Sequence, residues 1–294
     1  MYVFIVNPAA GSGRSLKILP RLTGLLDARK IPWQVRQTTR VGEAGALACA
    51  AVREKAEAVV AVCGDGTLGE IADGLKYTGI PLLFAASGTG NDFVRSTGLS
   101  KDPVQALAAQ LDAPKGRIDV GTVMGRCFLN VSGTGLDVDV LVQAEKHKKD
   151  ASGLKPYLLG VRDAIRGYAP MHALVSYEGE PLRETAFSIL SLGNGQYFGG
   201  GMRPVPGAKL NDGLLDVVEV RPVPKALIPI LMTLFIPGLH ARTALAKRRQ
   251  VKRLRIRCPG MVLNLDGELI PCDDAEFHLL EEALTVQLPM LGAK

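Results

Sequence analysis

The chain has 294 residues, of which 47% are hydrophobic and 22% are charged, and its formal net charge is +6. This length predicts about two domains with a sizeable core, and the composition excludes a disordered, collagen-like or coiled-coil protein. Five cysteines without a CxxC pair argue against a zinc site or a disulfide framework and favour a reducing, cytoplasmic compartment.

Strands and helices alternate in the first half of the chain. Short apolar runs predict strands over 2–6, 33–37, 58–63 and 81–86, and helical spacing predicts helices over 16–26, 42–55, 68–75 and 103–112. The first run lacks a basic flank, so it indicates a strand rather than a signal peptide. This alternation favours an open, mostly parallel α/β sheet, in which ligands bind beyond the carboxyl ends of the strands.

The pattern of predicted elements changes near residues 115–120, from alternating strands and helices to mostly short strands. Short strands are predicted over 118–123, 127–132, 173–177, 187–192, 214–220, 251–258, 262–265 and 283–288, with helices over 136–149 and 154–168. Strands in such a series favour a mainly antiparallel second domain.

Three glycine-rich turns, at 7–11, 64–67 and 87–92, follow predicted strands of the first half. Glycines let the backbone approach a phosphate, and helix-start amides favour anions. Asp65 in the second turn would repel a phosphate unless a cation lay between them, which suggests Mg²⁺; the alternative is a tight turn with Asp65 as N-cap. No turn matches a Walker A loop or a GxGxxG fingerprint, which disfavours a Rossmann oxidoreductase.

Carboxylates mark two turns of the second half. Asp212 in the segment NDGLLD is either part of a hairpin turn or an oxygen ligand for Mg²⁺. Asp266 and Glu268 flank Gly267, as a polar turn or as a general base for a hydroxyl group. The four histidines show no metal-ligand spacing, and no GxSxG nucleophile elbow occurs.

An apolar run over 226–239 precedes a basic run. It contains two prolines and is shorter than the ~20 residues that a membrane span requires. Eight cations without an acid follow between Arg242 and Arg257, and no aromatic residue is interleaved with them, so no nucleic-acid partner is expected. These two runs are either a buried helix and an amphipathic strand or an apolar element that enters a bilayer interface beside cations.

Taken together, the motifs resemble those of the diacylglycerol kinase catalytic-domain family of soluble lipid kinases, which includes bacterial lipid kinases and the sphingosine and ceramide kinases. Five segments carry the resemblance, in the family's order: NPAAG at 7–11, CGDGT at 63–67, SGTGNDF at 87–93, LNDGLL at 210–215 and LDGE at 265–268.

The resemblance implies ATP- and Mg²⁺-dependent phosphorylation of the hydroxyl of a diacylglycerol-like lipid. It implies an α/β nucleotide-binding domain over 1–118 and a mainly antiparallel, β-sandwich-like domain over 119–282 that binds the lipid and a metal. The last strand, at about 283–294, is expected to return to the first domain. The expected location is cytoplasmic and peripheral, at an anionic membrane surface, and the family also contains homodimers.

The resemblance also assigns site residues. The nucleotide contacts fall on Asn7, Pro8, Ala9, Ala10, Gly11, Thr38, Gly64, Asp65, Gly66, Thr67, Leu68, Gly69, Glu70 and Thr89. A metal position falls on Asp212 with the backbone carbonyls of Lys209 and Leu214, and the proposed base falls on Glu268, with Asp266 as an essential neighbour. Asp65 would help to organise a catalytic Mg²⁺.

One departure from the family pattern is Cys63, which replaces the first glycine of GGDGT. Its side chain either crowds the nucleotide turn or points into the core under the strand. Two other functions stay open. A GDGT-type loop also occurs in the related NAD kinases, which allows a kinase for a soluble acceptor, and Cys63 allows a lipid- or nucleotide-binding protein with impaired catalysis.

Overall fold

The computed structural model describes residues 1–147 and 155–291. Fourteen strands in this part of the chain form one hydrogen-bonded sheet. The strands are β1 (Tyr2–Val6), β2 (Trp33–Gln37), β3 (Ala58–Val62), β4 (Leu82–Phe84), β5 (Lys115–Val123), β6 (Arg126–Phe128), β7 (Val131–Gly135), β8 (Met171–Tyr177), β9 (Arg183–Phe187), β10 (Ile189–Gly193), β11 (Leu215–Val220), β12 (Ala246–Val251), β13 (Arg253–Leu265) and β14 (Glu268–Gln287). The α-helices are α1 (Arg14–Ala28), α2 (Glu43–Arg53), α3 (Asp65–Leu75), α4 (Asp92–Thr97), α5 (Pro103–Leu111), α6 (Leu136–His147), α7 (Lys155–Gly167) and α8 (Ile228–Phe235).

The first half is a parallel sheet in the order β2-β1-β3-β4. Every residue of β3 is buried, as its uninterrupted apolar sequence predicts for a strand covered on both faces. One apolar cluster, which includes Val3, Val59 and Ile71, fills one face, and a second cluster with Phe4, Val60 and Leu22 fills the other. The predicted α/β architecture is therefore confirmed.

The second half is antiparallel, in the order β12-β11-β10-β7-β13-β14. Two apolar clusters form its core: one lies between strands and includes Phe128, Phe187 and Phe277, and the other packs under α6, α7 and α8. The buried face of α8 consists of Ile228, Leu231, Met232 and Phe235. The predicted β-rich second domain is confirmed.

Strand β14 joins the two halves. Its first residues pair with β13, its later residues pair with β5, and Val286 lies beside Leu82 of β4 in parallel register. A register shift between Leu280 and Leu284 interrupts the long strand. The 20 residues of β14 thus run from the antiparallel half into the parallel half.

Several predicted element bounds are wrong. The single strand expected at 127–132 is two strands, β6 and β7, because the amides of Leu129 and Asn130 donate to the Asp266 carboxylate. The strands expected at 251–258 and 262–265 are one strand, β13, with a bulge between Arg257 and Met261, and the strand expected at 283–288 is the end of β14.

The sequence patterns also left out two strands. Strand β12 lies in the basic run, and β9 precedes β10 with only one residue between them. The expected helix end at Lys149, the expected helix start at Leu154 and residues 292–294 of the last predicted strand lie outside the described residues. Within the described residues, no helix is long and apolar enough to cross a membrane.

Candidate active site

Three turns meet at the carboxyl edge of the parallel sheet, as the sequence predicts. The Asn7 amide after β1 donates to Val62 O of β3 (3.1 Å), and the Ser87 amide after β4 donates to Cys63 O (2.9 Å). The side-chain amide of Asn7 donates to Thr67 Oγ1 (2.9 Å), which joins the first turn to the second. The three turns therefore form one continuous surface.

Glycines allow these turns to pack backbone against backbone. Gly11 has a φ of +56°, and a Cβ there would lie 2.1 Å from the Ser87 carbonyl oxygen. A Cβ at Gly88 would lie 2.6 Å from the Gly64 Cα. Side chains at either position would push the turns apart, so the glycines fix the shape of the edge.

A groove of about 380 Å³ opens beside the first and second turns. Its volume lies within the range of about 300–1,000 Å³ that is usual for small-ligand sites. The predicted nucleotide contacts that line the groove are Asn7, Pro8, Ala9, Thr38, Thr67 and Glu70. Two others, Ala10 and Leu68, have buried side chains, so only their backbone is available to a ligand.

Two predicted site carboxylates accept hydrogen bonds from helix-start amides. Asp65 receives the amides of Asp92 and Phe93, both at 3.1 Å, at the start of α4. Glu70 receives the amides of Gly42 and Ala44, both at 3.2 Å, at the start of α2. Asp65 is thus the first residue of α3 but caps a different helix, contrary to the alternative in which it caps its own.

The second half contributes the hairpin between β13 and β14 to the cleft. Asp266 and Gly267 form its two-residue turn, and both have positive φ angles, as an Asp-Gly hairpin turn requires. Both Asp266 and Glu268 share cavity walls with Asp65 and Gly66. The predicted catalytic carboxylates of the two halves therefore face one cleft.

Asp266 is held rigidly in this hairpin. Its carboxylate accepts three backbone amides, from Leu129 (2.7 Å), Asn130 (3.0 Å) and Val131 (2.9 Å). Burial raises the pKa of Asp266 to about 7, and the three donors oppose that rise. The arrangement gives Asp266 a structural task, which is to attach the hairpin to the segment between β6 and β7.

Glu268 is more accessible, with half of its side chain exposed. Its partner is Arg126 of β6, whose guanidinium donates to both carboxylate oxygens; one of these bonds, from Nη1 to Oε1, measures 3.1 Å. The charge and hydrogen bonds of Glu268 raise the pKa of Arg126. This ion pair lies in the wall of the cavity that also contains Asp65 and Glu70.

A direct contact between the two halves closes one side of the cleft. The carboxylate of Asp92 at the start of α4 accepts the Gly200 amide at 2.8 Å, and Gly199 and Gly200 line the cleft with Thr89. Burial and the nearby Asp65 charge raise the pKa of Asp92 to about 6. Asp92 thus links the third turn to the second half.

The predicted metal position lies apart from the cleft cavities. Asp212 Oδ1 accepts the Leu214 amide (3.2 Å), and Gln250 Nε2 lies 3.5 Å from both Asp212 Oδ2 and Asp216 Oδ2. Burial, with the Asp212 charge beside it, raises the pKa of Asp216. Arg248 Nη2 lies 3.8 Å from Asp216 Oδ1, and the remaining carboxylate oxygens of the pair are of the hard type that Mg²⁺ prefers.

The turn that bears Asp212 is fixed by buried Asp119 of β5. Its Oδ2 accepts the Gly213 amide and its Oδ1 accepts the Glu282 amide, both at 2.8 Å. The Asp119 amide donates to Leu210 O at 2.7 Å. Asp119 therefore connects this turn to β5 and to the interruption in β14.

The cleft walls carry more negative than positive charge. The lining carboxylates are Asp65, Glu70, Asp73, Asp92, Asp266 and Glu268, and the lining cations are Arg126 and Arg40. Among residues 1–147 and 155–291, no group of three or more side chains is arranged as a complete metal site. Such a surface fits Mg²⁺ carried with a nucleotide, because Mg²⁺ generally uses one or two protein carboxylates and takes other ligands from phosphates and water.

Cys63 points into the core. It is 3% exposed, it packs in the same apolar cluster as Ile5 and Phe84, and burial raises the pKa of its thiol. Of the two orientations open from sequence, the structure therefore has the one that leaves the nucleotide turn uncrowded.

Four cleft or turn residues escaped the sequence reasoning: Arg126, Arg40, Asp92 and Asp119. Arg126 contacts a carboxylate 142 positions away, and no local spacing indicates that pairing. Asp92 stands inside the SGTGNDF motif, but that motif does not indicate its contact with the distant Gly200 amide. Asp119 does have a sequence signal, because a carboxylate inside a predicted apolar strand is seldom buried without a hydrogen-bonding role.

Comparisons with known proteins agree with this geometry. Residues 1–123 match the model of the diacylglycerol kinase catalytic domain, and residues 130–288 match that of the YegS C-terminal NAD kinase beta sandwich-like domain. A Pseudomonas fluorescens protein named probable lipid kinase YegS-like is 33% identical over 270 residues, which cover 87% of this chain and 85% of the relative. A Pseudomonas aeruginosa protein of the same name is 34% identical over 260 residues, with 87% and 84% covered.

A solved structure has the same fold. The putative diacylglycerol kinase from Bacillus anthracis superposes with a TM-score of 0.77 at 24% identity, and the match covers 98% of this chain and 96% of that one.

Proposed function

This chain belongs to the diacylglycerol kinase catalytic-domain family of lipid kinases, and on that premise we propose that it transfers the γ-phosphate of ATP, with Mg²⁺, to the hydroxyl of a diacylglycerol-like lipid at a membrane surface. The observation that carries the proposal is the cleft in which the glycine turns of the parallel half face the Asp266–Glu268 hairpin. Phosphate-binding turns and a hydroxyl-activating carboxylate are the two parts that such a transfer needs.

The nucleotide is assigned to the groove beside the first two turns. Asn7, Thr38 and Thr67 supply polar groups there, and Arg40 supplies a positive charge for a phosphate. The glycines of the turns keep the backbone close to the ligand. The γ-phosphate would then lie towards Asp65 and Gly66, which line the cleft on the lipid side.

Mg²⁺, when bound with ATP, neutralises phosphate charge that would otherwise meet the carboxylates of the cleft. Asp65 is assigned to hold this ion through the lone pairs that its two amide donors leave free. Asp212, with the carbonyl oxygens of Lys209 and Leu214, is assigned to a separate cation that stabilises its turn.

Glu268 is the better candidate for the base. In the proposed step, the lipid hydroxyl loses its proton to a Glu268 carboxylate oxygen as the hydroxyl oxygen bonds to the γ-phosphorus, and the bond to the β-phosphate oxygen breaks to release ADP. Asp266 already accepts three amides, so we assign it to position the hairpin. Arg126 orients Glu268 and carries a charge towards the transferred phosphate.

The test is transfer of labelled γ-phosphate from ATP to a panel of lipids in anionic mixed micelles, with and without Mg²⁺. Diacylglycerol, monoacylglycerol, ceramide and a sphingoid base form the panel, and the Glu268→Gln protein is the control. Label in a lipid that requires both Mg²⁺ and Glu268 supports the proposal and names the substrate. Label only in a soluble acceptor such as NAD would contradict it.

A further inference from the structure

A stretch of exposed apolar side chains surrounds α8. We call it the α8 face and define it as the exposed residues between Arg221 and Leu245. Its large apolar members are Leu227 (43% exposed), Ile230 (57%), Ile236 (50%), Leu239 (45%) and Leu245 (36%). The opposite side of α8 packs into the core, so these side chains remain at the surface.

The charged side chains that the α8 face itself contributes are all positive. No Asp or Glu occurs in the sequence between Glu219 and Asp266. Arg221, Lys225 and Arg242 are exposed on the α8 face. Within the described part of the chain, Arg221 and Arg242 form no ion pair, whereas Lys225 donates to the Arg166 carbonyl oxygen.

Most of the later cations of the basic run pair with carboxylates of neighbouring strands. Arg253 pairs with Glu276, and Arg255 and Arg257 both pair with Asp274 of β14. These arginines remain partly exposed but their charges are paired, whereas Arg249 stacks on the Tyr177 ring with its Cζ 4.7 Å from the ring centroid.

The α8 face adjoins the cleft. Phe235 of α8 packs edge-on against Phe198, with ring centroids 6.1 Å apart, and Phe198 directly precedes the cleft-lining Gly199 and Gly200. The Arg203 amide also donates to Ile236 O at 3.1 Å. The face and the cleft wall are thus two sides of one packed unit.

We propose that the α8 face is the surface by which the protein docks on an anionic phospholipid bilayer, with its apolar side chains at the acyl boundary and its cations among the headgroups. The proposal rests on the lipid kinase function proposed above and assigns a face to it. A face whose own exposed side chains are apolar or cationic matches such an interface. A two-fold contact between copies through the same face would instead bring like charges together.

The experiment measures sedimentation of the full-length protein with vesicles, without ATP. The vesicles contain phosphatidylcholine alone or phosphatidylcholine with phosphatidylserine, at low and high salt. One variant combines Ile230→Ser with Ile236→Ser, and a second combines Arg221→Gln with Arg242→Gln. Matched controls are Tyr77→Ser, an exposed apolar residue of the other half, and the pair Arg53→Gln with Lys101→Gln, two exposed cations there.

We expect the wild type and both controls to bind the anionic vesicles in a salt-sensitive manner. Each lost cation of the α8 face should weaken binding by about fivefold. The apolar variant should lose binding at every salt concentration. Equal binding by both face variants and their controls would overturn the inference.

Two further measurements distinguish membrane docking from self-association and from the kinase proposal. If sedimentation velocity shows a wild-type dimer that Ile230→Ser with Ile236→Ser converts to a monomer, the face contacts a second copy and the inference is wrong. Phosphorylation of a dispersed short-chain diacylglycerol should be unchanged in both face variants. Absence of that reaction in the wild type contradicts the kinase proposal. Vesicle binding tests the docking surface independently of this activity.

Discussion

Arg126 donates to both carboxylate oxygens of Glu268, and this pair joins the edge strand β6 to the hairpin of β13 and β14. The guanidinium orients the carboxylate. However, Glu268 can accept a substrate proton only after one of its two hydrogen bonds from Arg126 weakens or breaks. The arrival of a γ-phosphate beside Arg126 would supply a competing anion, so nucleotide binding would prepare the base.

Replacement of Arg126 tests this coupling. We expect Arg126→Gln to lower kcat about 100-fold while the KM for ATP changes little, because the guanidinium acts on the transferred group and the base. Arg126→Lys keeps the charge but loses the two-point geometry, and it should recover part of the rate. Steady-state kinetics with both variants measures the effect, and full activity in Arg126→Gln would remove Arg126 from the mechanism.

We expect the two hairpin carboxylates to have different roles, Glu268 in catalysis and Asp266 in the stability of the hairpin. Glu268→Gln is expected to lower kcat by about 10²–10⁴ and to leave the unfolding free energy nearly unchanged, because this side chain is half exposed. Asp266→Asn keeps the turn conformation, but its side-chain NH2 group cannot accept the Leu129 amide. The buried donor left without a partner should lower the free energy of unfolding by about 1–3 kcal/mol. Urea unfolding with parallel kinetics distinguishes the roles; a stable, inactive Asp266→Asn protein would make Asp266 catalytic.

The contact between Gly11 and Ser87 predicts a strong effect of a single methyl group. Gly11→Ala places a Cβ where the Ser87 oxygen lies, so the first turn must move and ATP affinity should fall about tenfold or more. Gly13→Ala is the matched control, since Gly13 also has a positive φ but no atom lies within 4 Å of its added Cβ. The control should show only the backbone cost of about 1–2 kcal/mol. Nucleotide titration of both variants provides the measurement.

Asp92 predicts a pH dependence of stability. Its pKa is about 6 in the folded protein and about 3.9 in an unfolded chain, so between these values the folded state binds more protons. The free energy of unfolding should therefore fall as the pH rises from about 4 to 6, by up to roughly 3 kcal/mol. Asp92→Asn removes this contribution. Urea unfolding across that window tests it, and parallel pH profiles for the two proteins would contradict it.

Cys63 provides a test of the core orientation. Cys63→Ala should lower stability by about 1–2 kcal/mol, since it removes a buried sulfur atom, and should leave the KM for ATP unchanged. Cys63→Gly restores the family's usual residue and should cost more because of backbone entropy. If the glycine variant instead binds ATP tenfold more tightly, the thiol affects the nucleotide turn. Thermal unfolding and ATP kinetics report the two effects.

The parallel half is the part of the fold that can be predicted most fully from the sequence. Its strands are short, buried and apolar, and its turns contain glycines. These local patterns identify the strands and turns without knowledge of contacts between distant residues. Strands β12 and β14 were harder to recognise, because they are rich in charged residues whose partners lie far along the chain. The same distance separates Arg126 from Glu268, so the motif residues could be predicted whereas their ion pairs could not.

The position of β14 has a consequence for synthesis on the ribosome. Leu82 of β4 pairs with a strand whose contact residue, Val286, is made about 200 residues later, after roughly 10–40 s at usual translation rates. During this interval the apolar edge of the nascent parallel sheet lacks its neighbour and resembles the open edges that promote aggregation. The first half of the protein therefore completes its fold only when nearly the whole chain has emerged.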